Sequence, residues 1–276
     1  MSKMFDALRR AESERRRKQG EESSAPLEPV TPVGPAAHEN SVPAPVQRPA
    51  RRSPAVPRSV VHDANAFPGD MLRELGILRN SLESKLEKKQ SRVLMFTSAM
   101  HSEGVSMMAL SYARMLAMQE DHRVLLIELN ARTPSLATRL GLTLPEGITD
   151  YFTARRQLAA LVSRPAGESF DAVHVGEADP TQIQINLERE FPHLIKEALQ
   201  AYDTVIVDAP PVVVCPETPP LSPFVDGVVL VVHSGRTKRE TVDRSIKQIQ
   251  QFQGRVLGVL LNRKRYYIPH FIYRHL

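Results

Sequence analysis

Short apolar runs that end in polar residues recur along the C-terminal three quarters of the chain. They lie in the segments 93–96, 124–136, 202–212, 225–237 and 256–263, and each predicts a buried β-strand. Stretches with apolar residues at helical spacing separate them, such as Met107 to Met118. Strands that alternate with helices in this way are typical of βαβ units and a parallel sheet. We therefore predict an α/β domain with a doubly wound, mainly parallel sheet.

The first of these strands leads into a polar turn and then a helix. The segment 94–113 reads L-M-F-T-S-A-M-H-S-E-G-V-S-M-M-A-L-S-Y-A, which has the outline of a phosphate-binding loop. Such a loop needs glycines for close backbone approach, a lysine for the β and γ phosphates, and a hydroxyl for Mg²⁺. Gly104 and Ser106 stand at the last glycine and the hydroxyl positions, but Val105 stands at the lysine position. The loop thus predicts a nucleotide site whose principal cation is missing.

Acidic and amide side chains follow two other strands. Asp208 ends the run Y-D-T-V-I-V-D, and Glu128 and Asn130 end V-L-L-I-E-L-N. An acid at the end of such a strand is where phosphate-binding-loop proteins hold magnesium. Glu128 could instead be a solvated strand-end acid. A buried Asp208 needs a partner, either an ion or, in an empty pocket, Arg132 or loop amides.

These segments, in this order, resemble the bacterial tyrosine kinases, which control chain length and export of capsule and exopolysaccharide. They also resemble the wider MinD/ParA-like group. The resemblance covers 67–276 and is most specific at the strand ending in Asp208 and at the run that starts Asp226-Gly227. It implies a P-loop NTPase-like fold, with ATP and Mg²⁺ as cofactors if the site functions and none if it does not. It assigns cofactor binding to Ser102, Glu103, Gly104, Val105, Ser106 and Asn262, metal binding to Ser106, Glu128 and Asp208, and catalysis to Glu128 and Asp208. Asn262 could equally be a turn former.

The chain departs from the family pattern where charge is needed. Family loops resemble S-x-x-P-G-E-G-K-S-T, whereas here Ser102 replaces a glycine, Val105 the lysine and Met107 the threonine. The family's D-x-D becomes Glu128-Leu-Asn130. Because phosphoryl transfer depends on positioning and charge, these losses predict a pseudokinase.

Two other interpretations stay open. An active autokinase would use a deviant loop, with Ser106, Glu128 and Asp208 handling Mg²⁺. A ParA- or MinD-like positioning ATPase would need an early signature lysine, where this chain has Met100 and His101.

The chain before the domain divides into two parts. Residues 1–19 predict a short amphipathic helix, with Met4, Phe5, Leu8 and Ala11 on one stripe. Residues 20–66 predict a disordered Pro-rich linker, since ten of the 22 prolines lie between Pro26 and Pro68. A helix on a tether is suited to docking on a partner.

A leucine-rich helix is predicted from Gly69 to Lys88. It resembles the family helix that carries E-x-x-R-x-x-R and assembles subunits into rings. The matching positions read Arg73-x-x-Gly76-x-x-Arg79, so only the last arginine remains. We expect the leucines to pack on the sheet, and homo-oligomer formation stays open.

The C-terminal tail holds Tyr266, Tyr267 and Tyr273, three of the six tyrosines in the chain. In this the chain resembles the bacterial tyrosine kinases, which carry a C-terminal tyrosine cluster that neighbouring subunits phosphorylate. The resemblance makes the three tyrosines of this tail candidate phospho-acceptors. The alternative is an aromatic stretch that binds a membrane face or a partner groove.

Charge and composition limit the kinds of partner and the cellular location that can be expected. The net charge is +5, but the positive residues cluster at 15–18, 51–52 and the C-terminus without a nucleic-acid-binding signature, so nucleic acid is not expected. The single cysteine, Cys215, excludes an internal disulfide, and we expect it to be buried. No signal peptide or 18-residue apolar stretch is found. We expect a cytoplasmic protein, peripheral at the inner membrane through a membrane-anchored polysaccharide co-polymerase or export protein.

Overall fold

A computed structural model describes residues 70–177 and 180–264, without the side chains of 180–185. The predicted amphipathic helix, the linker and the tyrosine tail lie outside the described residues. Their boundaries remain predictions.

The described residues form a six-stranded parallel sheet flanked by helices. The strands are β1 Arg92–Ser98, β2 Val124–Glu128, β3 Asp171–Val173, β4 Thr204–Asp208, β5 Gly227–His233 and β6 Val256–Asn262. The helices are α1 Met71–Lys85, α2 Val105–Ala117, α3 Leu136–Leu140, α4 Ile148–Ala154, α5 Leu158–Leu161, α6 Pro180–Ala201 and α7 Arg239–Gln251, with a 3₁₀ turn at Pro219–Phe224. The strand order is β3-β2-β4-β1-β5-β6. All strand pairings are parallel, which confirms the predicted sheet.

Apolar side chains leave both faces of the sheet because successive residues of a strand point to opposite sides. Along β1, Val93 and Met95 join one buried cluster, with residues of α4 to α7. Leu94 and Phe96 join the other, with residues of α1, α2 and α3. A strand covered on both faces reads as a continuous apolar run, which is why 93–96 shows no alternation.

The leucines of α1 pack as expected. Leu75 and Leu82 are 1% and 2% exposed, within the cluster that includes α2 and α3. Arg79, the remaining arginine of the ring-forming pattern, donates to Glu83 one turn away, with 2.8 Å between Nε and Oε1. The stripe therefore belongs to the core of this domain.

The order of the strands in the sheet also determines where the candidate site lies. β1 lies between β4 and β5, and β4 lies next to β2. The register pairs Phe96 with Asp208 and Glu128 with Asp208. The carboxyl ends of β1, β2 and β4 thus meet at one edge, where the β1–α2 loop begins. Within the described ranges, no helix is long and apolar enough to cross a membrane.

We expect Leu82→Ala to lower the free energy of unfolding by about 2–5 kcal/mol, because it removes a fully buried side chain and leaves a cavity. The matched change on the other face of α1 is Ile77→Ala, since Ile77 is 54% exposed. It should change stability by no more than about 0.5 kcal/mol. Urea unfolding of both variants checks this, and equal losses would show that α1 does not pack as described.

Candidate functional site

The loop between β1 and α2 has the backbone shape of a phosphate-binding loop. Ser102 and Gly104 adopt positive φ angles of 63° and 90°, and Gly104 is the N-cap of α2. A Cβ built on Gly104 would lie 2.2 Å from Nδ2 of Asn262, so no other residue fits there without a shift. The tight turn therefore depends on glycine for both its φ angle and its space.

Glu103 anchors this loop from inside the protein. Its side chain is 2% exposed, and its Oε2 accepts a hydrogen bond from the Met100 amide at 2.9 Å. Its Oε1 accepts from the Thr237 hydroxyl and from the His233 amide, the latter at 3.3 Å. The Asn262 side-chain amide donates to the Glu103 carbonyl oxygen at 2.9 Å. The loop is thereby tied to the ends of β5 and β6.

Val105, the first residue of α2, turns its side chain into the protein. It is 9% exposed and belongs to the cluster between the sheet and α1, α2 and α3. An apolar side chain in this position offers no polar atom to a phosphate. The loop therefore keeps its backbone shape without its side-chain cation.

Glu128 and Asp208 lie side by side at the ends of β2 and β4, and both are fully buried. The solvated interpretation of Glu128 is therefore wrong. Its Oε1 accepts hydrogen bonds from the amides of Ser135 and Leu136, at 2.6 Å and 3.0 Å. Its Oε2 has no partner of good hydrogen-bond geometry. Burial raises the pKa of the Glu128 carboxyl, and the backbone amides offset part of that rise.

Asp208 is a buried acid without a close partner. Neither of its carboxylate oxygens makes a hydrogen bond of good geometry. Burial raises its pKa to about 7, the Ser106 hydroxyl offsets part of that rise, and Glu128 adds to it. Of the alternatives for an empty pocket, pairing with Arg132 is wrong, because the Arg132 guanidinium lies 3.5 Å from Glu217 instead.

A cavity of about 430 Å³ opens beside the loop. The predicted cofactor-binding residues all line it: Ser102, Glu103, Gly104, Val105, Ser106 and Asn262. Glu128 and Asp208 are not among its lining residues. Their predicted catalytic and metal-binding roles stay predictions. Tyr266, Tyr267 and Tyr273 lie outside the described residues.

The sequence patterns assigned to the site neither of the two arginines that line this cavity, Arg263 after β6 and Arg139 on α3. The Arg139 side chain lines the cavity with the loop residues, and its charge lowers the pKa of both Glu128 and Asp208. Arg139 lies outside every motif, because the fold alone brings the short α3 helix over the loop. Ser135, which lines the same cavity, is tied to Glu128 by its backbone amide.

The donor set fits a magnesium ion only with help from other ligands. Among the residues described, no group of three His, Cys, Asp or Glu side chains could hold a metal ion. Magnesium in nucleotide sites commonly takes one or two carboxylates and completes its shell with water and phosphate oxygens. The unpartnered oxygens of Asp208, beside Glu128 and Ser106, suit that role chemically.

The parallel sheet and the glycine-bearing loop before α2 define the class as P-loop NTPase-like. No protein-family model matches the chain. Tyrosine-protein kinase YwqD of Bacillus subtilis is 28% identical over 188 residues, which cover 68% of this chain and 79% of the relative. Several other curated relatives are likewise named tyrosine-protein kinases. The chain is therefore a relative of the bacterial tyrosine kinases, as its motifs predict.

Solved structures agree with this fold. The kinase domain of the Escherichia coli tyrosine kinase ETK superposes with a TM-score of 0.65 at 22% identity, covering 72% of this chain and 79% of that one. An ATP complex of McdA from Cyanothece has a TM-score of 0.55 at 16% identity, covering 63% and 71%. At these identities the likeness establishes the fold and leaves the chemistry to the residues.

The buried Asp208 predicts a pH-dependent stability. Its pKa in the folded protein, about 7, exceeds the ordinary value of 3.8, so the folded protein loses stability as pH rises between these values. Asp208→Asn removes that loss. Relative to the unchanged protein, we expect the variant to gain on the order of 2 kcal/mol when pH rises from 5 to 8. Urea unfolding at both pH values measures the difference.

Asp203, just before the other end of β4, provides the control. Its hydrogen bonds with Arg123 hold the pKa of its carboxyl below the ordinary value of 3.8, so it stays ionised at both pH values. The effect of Asp203→Asn should change far less between pH 5 and pH 8 than that of Asp208→Asn, because only the coulombic coupling of Asp203 to His122 titrates in this range. An equally constant effect of Asp208→Asn would show that Asp208 does not titrate between pH 5 and pH 8 and would contradict a folded-state pKa of about 7.

Proposed function

We propose that this chain is a pseudokinase regulator of capsule or exopolysaccharide synthesis and export that acts through contacts with a partner. Its kinship with the bacterial tyrosine kinases supports the biological setting. The identity of its loop residues supports the loss of chemistry. ATP with Mg²⁺ would bind weakly and would not be used for phosphoryl transfer.

The burial of Val105 carries this proposal. In a phosphate-binding loop the lysine at this position contacts the β and γ phosphates, and catalysis there is almost entirely positioning and charge stabilisation. The Val105 side chain packs in the core, so it supplies neither charge nor hydrogen bond. Losing one charge-assisted hydrogen bond costs about 1.5–3 kcal/mol of binding alone.

The second departure acts in the same direction. Asn130 stands where the family carries an acid, and its Nδ2 donates to the Thr133 hydroxyl at 3.0 Å. A neutral amide adds no negative charge for a metal ion. Compared with the family pattern, the loop therefore lacks a cation and the segment after β2 lacks an anion. These two charges would balance each other around a nucleotide–metal complex.

Some parts of a nucleotide site remain. The amides that follow Gly104 at the start of α2, together with Ser106, would hold a phosphate, and the carboxylates of Glu128 and Asp208 would share a magnesium ion with water. When bound, the ion would neutralise phosphate charge. The residues of this chain would orient the phosphates, and Glu103 would keep the loop in shape.

A second candidate is an active autokinase with a deviant loop. The unpartnered carboxylate of Asp208 near Ser106 favours it, because a buried acid without a partner is costly and a metal ion would relieve that cost. Tyr266, Tyr267 and Tyr273 would then accept the phosphate.

The partner in the proposal is a membrane-anchored polysaccharide co-polymerase or export protein. Contact with it would hold the chain at the inner face of the membrane. Residues 1–19 and the basic tail, where apolar residues lie beside arginines, are the proposed docking elements.

We expect the purified protein, incubated with ATP and Mg²⁺, to show no phosphotyrosine, because the loop lacks its cation. Mass spectrometry of the C-terminal peptide measures this directly, and protein isolated from its native cell shows whether another kinase modifies the tail. Phosphorylation in the purified sample that Asp208→Asn abolishes would refute the pseudokinase and support the autokinase.

Restoring the cation should restore affinity. We expect Val105→Lys to strengthen ATP binding by at least about tenfold, as the gain of one charge-assisted hydrogen bond predicts. Val105→Met, which is long but uncharged, is the matched control and should leave affinity unchanged. Calorimetric titration measures all three proteins. If Val105→Lys matches the control, the shape of the loop around Ser102 is the defect rather than the missing charge.

A further inference from the structure

The cavity beside the loop has lost one cation but is not without positive charge. Two arginines line it, Arg139 from α3 and Arg263 after β6. Both arginines are exposed. The loop itself contributes Ser102, Gly104 and Ser106 to the same wall, so guanidinium groups and loop amides face one space.

Electrostatics separates the two arginines. Arg139 acts on the two buried acids at the ends of β2 and β4, since its charge stabilises the anionic forms of both Glu128 and Asp208. Arg263 follows β6, at the edge of the sheet that lies away from β2 and β4, the strands that carry the two acids. The charge of Arg139 therefore reaches the part of the site where a metal ion would lie, on the side of β2 and β4.

The guanidinium of Arg139 makes no salt bridge with the described residues. In residues 70–177 and 186–264, no acidic side chain lies within salt-bridge distance of its guanidinium, whereas other arginines of the domain have such partners: Arg114 with Glu168, Arg123 with Asp203 and Arg164 with Asp171. The α3 helix holds its backbone in place through the hydrogen bond from the Arg139 amide to the Ser135 carbonyl. A fixed backbone with a free guanidinium suits anion capture.

We propose that Arg139 binds the phosphate groups of a nucleoside di- or triphosphate in this cavity, replacing from α3 the charge that Val105 does not supply. This inference rests on the proposed function and deepens it. The guanidinium is always charged and matches phosphate oxygens with two parallel N–H donors. It reaches the phosphates from the side of β2, whereas the loop lysine would reach them from the start of α2.

The different direction of approach has a consequence for function. A cation that holds the phosphates from α3 favours binding, but it does not stand where the transferred group is stabilised by the loop. The nucleotide becomes a ligand that the domain senses instead of a phosphate donor. Binding and catalysis are then separable, which is what a regulator without kinase activity requires.

The test compares the affinities of the full-length protein and its variants for ADP, ATP and inorganic pyrophosphate, with Mg²⁺ and with EDTA. Calorimetry gives Kd, and the ligand-induced rise in Tm provides a second readout. The variants are Arg139→Gln, Arg139→Lys and the double variant Val105→Lys/Arg139→Gln. The matched control is Arg244→Gln, which removes an exposed arginine of α7 that does not line the cavity.

We expect binding at millimolar concentrations or below, weakened at least about tenfold by Arg139→Gln with and without Mg²⁺, as for the loss of one charge-assisted hydrogen bond. Arg139→Lys should retain part of the affinity, and Val105→Lys should restore binding to Arg139→Gln. Arg244→Gln should bind like the unchanged protein. If ADP and ATP bind and pyrophosphate does not, the nucleoside contributes to recognition. If all three bind equally, phosphate alone is recognised. Either result supports the proposal if binding requires Arg139.

Two results would overturn the inference. One is an unchanged Kd in Arg139→Gln, and the other is the absence of binding of all three probes to the unchanged protein. Neither touches the proposed function, which the phosphotyrosine measurement tests separately. Conversely, strong autophosphorylation would refute the pseudokinase even if Arg139 proved to bind phosphate.

Discussion

The carboxylate of Glu103 is the contact on which the candidate site depends. It lies in the interior and accepts hydrogen bonds from the Met100 amide, the His233 amide and the Thr237 hydroxyl. Several hydrogen-bond donors stabilise the charge of a buried carboxylate. The carboxylate in turn stabilises the fold, because each donor would otherwise lose its hydration without compensation. The loop therefore has a defined shape that does not require a bound phosphate. Gly104 and the Asn262 amide complete that shape by close packing.

The second constraint is that two acidic side chains are buried, where no water can solvate their negative charge. Glu128 and Asp208 are adjacent through the parallel pairing of β2 and β4, and neither reaches water. Two adjacent buried acids repel each other when both are ionised, so something must compensate. Backbone amides at the start of α3 donate hydrogen bonds to Glu128, and a raised pKa favours the neutral form of Asp208. The charge of Arg139 acts on both acids. A metal ion is one way to relieve such a pair, and a proton or an arginine is another.

Sequence patterns predicted the fold well because its determinants are local. The apolar runs became strands, and the polar residues that end them meet at one sheet edge, as parallel pairing requires. The substitution at Val105 was also visible in the sequence, and the structure adds that its side chain packs inward. The burial of Glu128 was not predictable, since it arises when α3 folds over the strand end. Arg139 was missed for the same reason: no motif contains it, and only the tertiary position of α3 brings it to the loop.

Different residues of this domain thus determine the shape of the loop and its charge. Glu103, Gly104 and Asn262 fix the shape of the loop, while Val105 and Asn130 determine its charge, and the two sets of contacts share no side chain. A loop of this kind can lose its catalytic cation without collapsing, so the surfaces built around it survive. The loop is tied through Asn262 to the end of β6, from which the chain continues into the tyrosine-bearing tail. The hydrogen bond from Asn262 to the Glu103 carbonyl oxygen therefore links the loop that lines the cavity to the residue that ends β6.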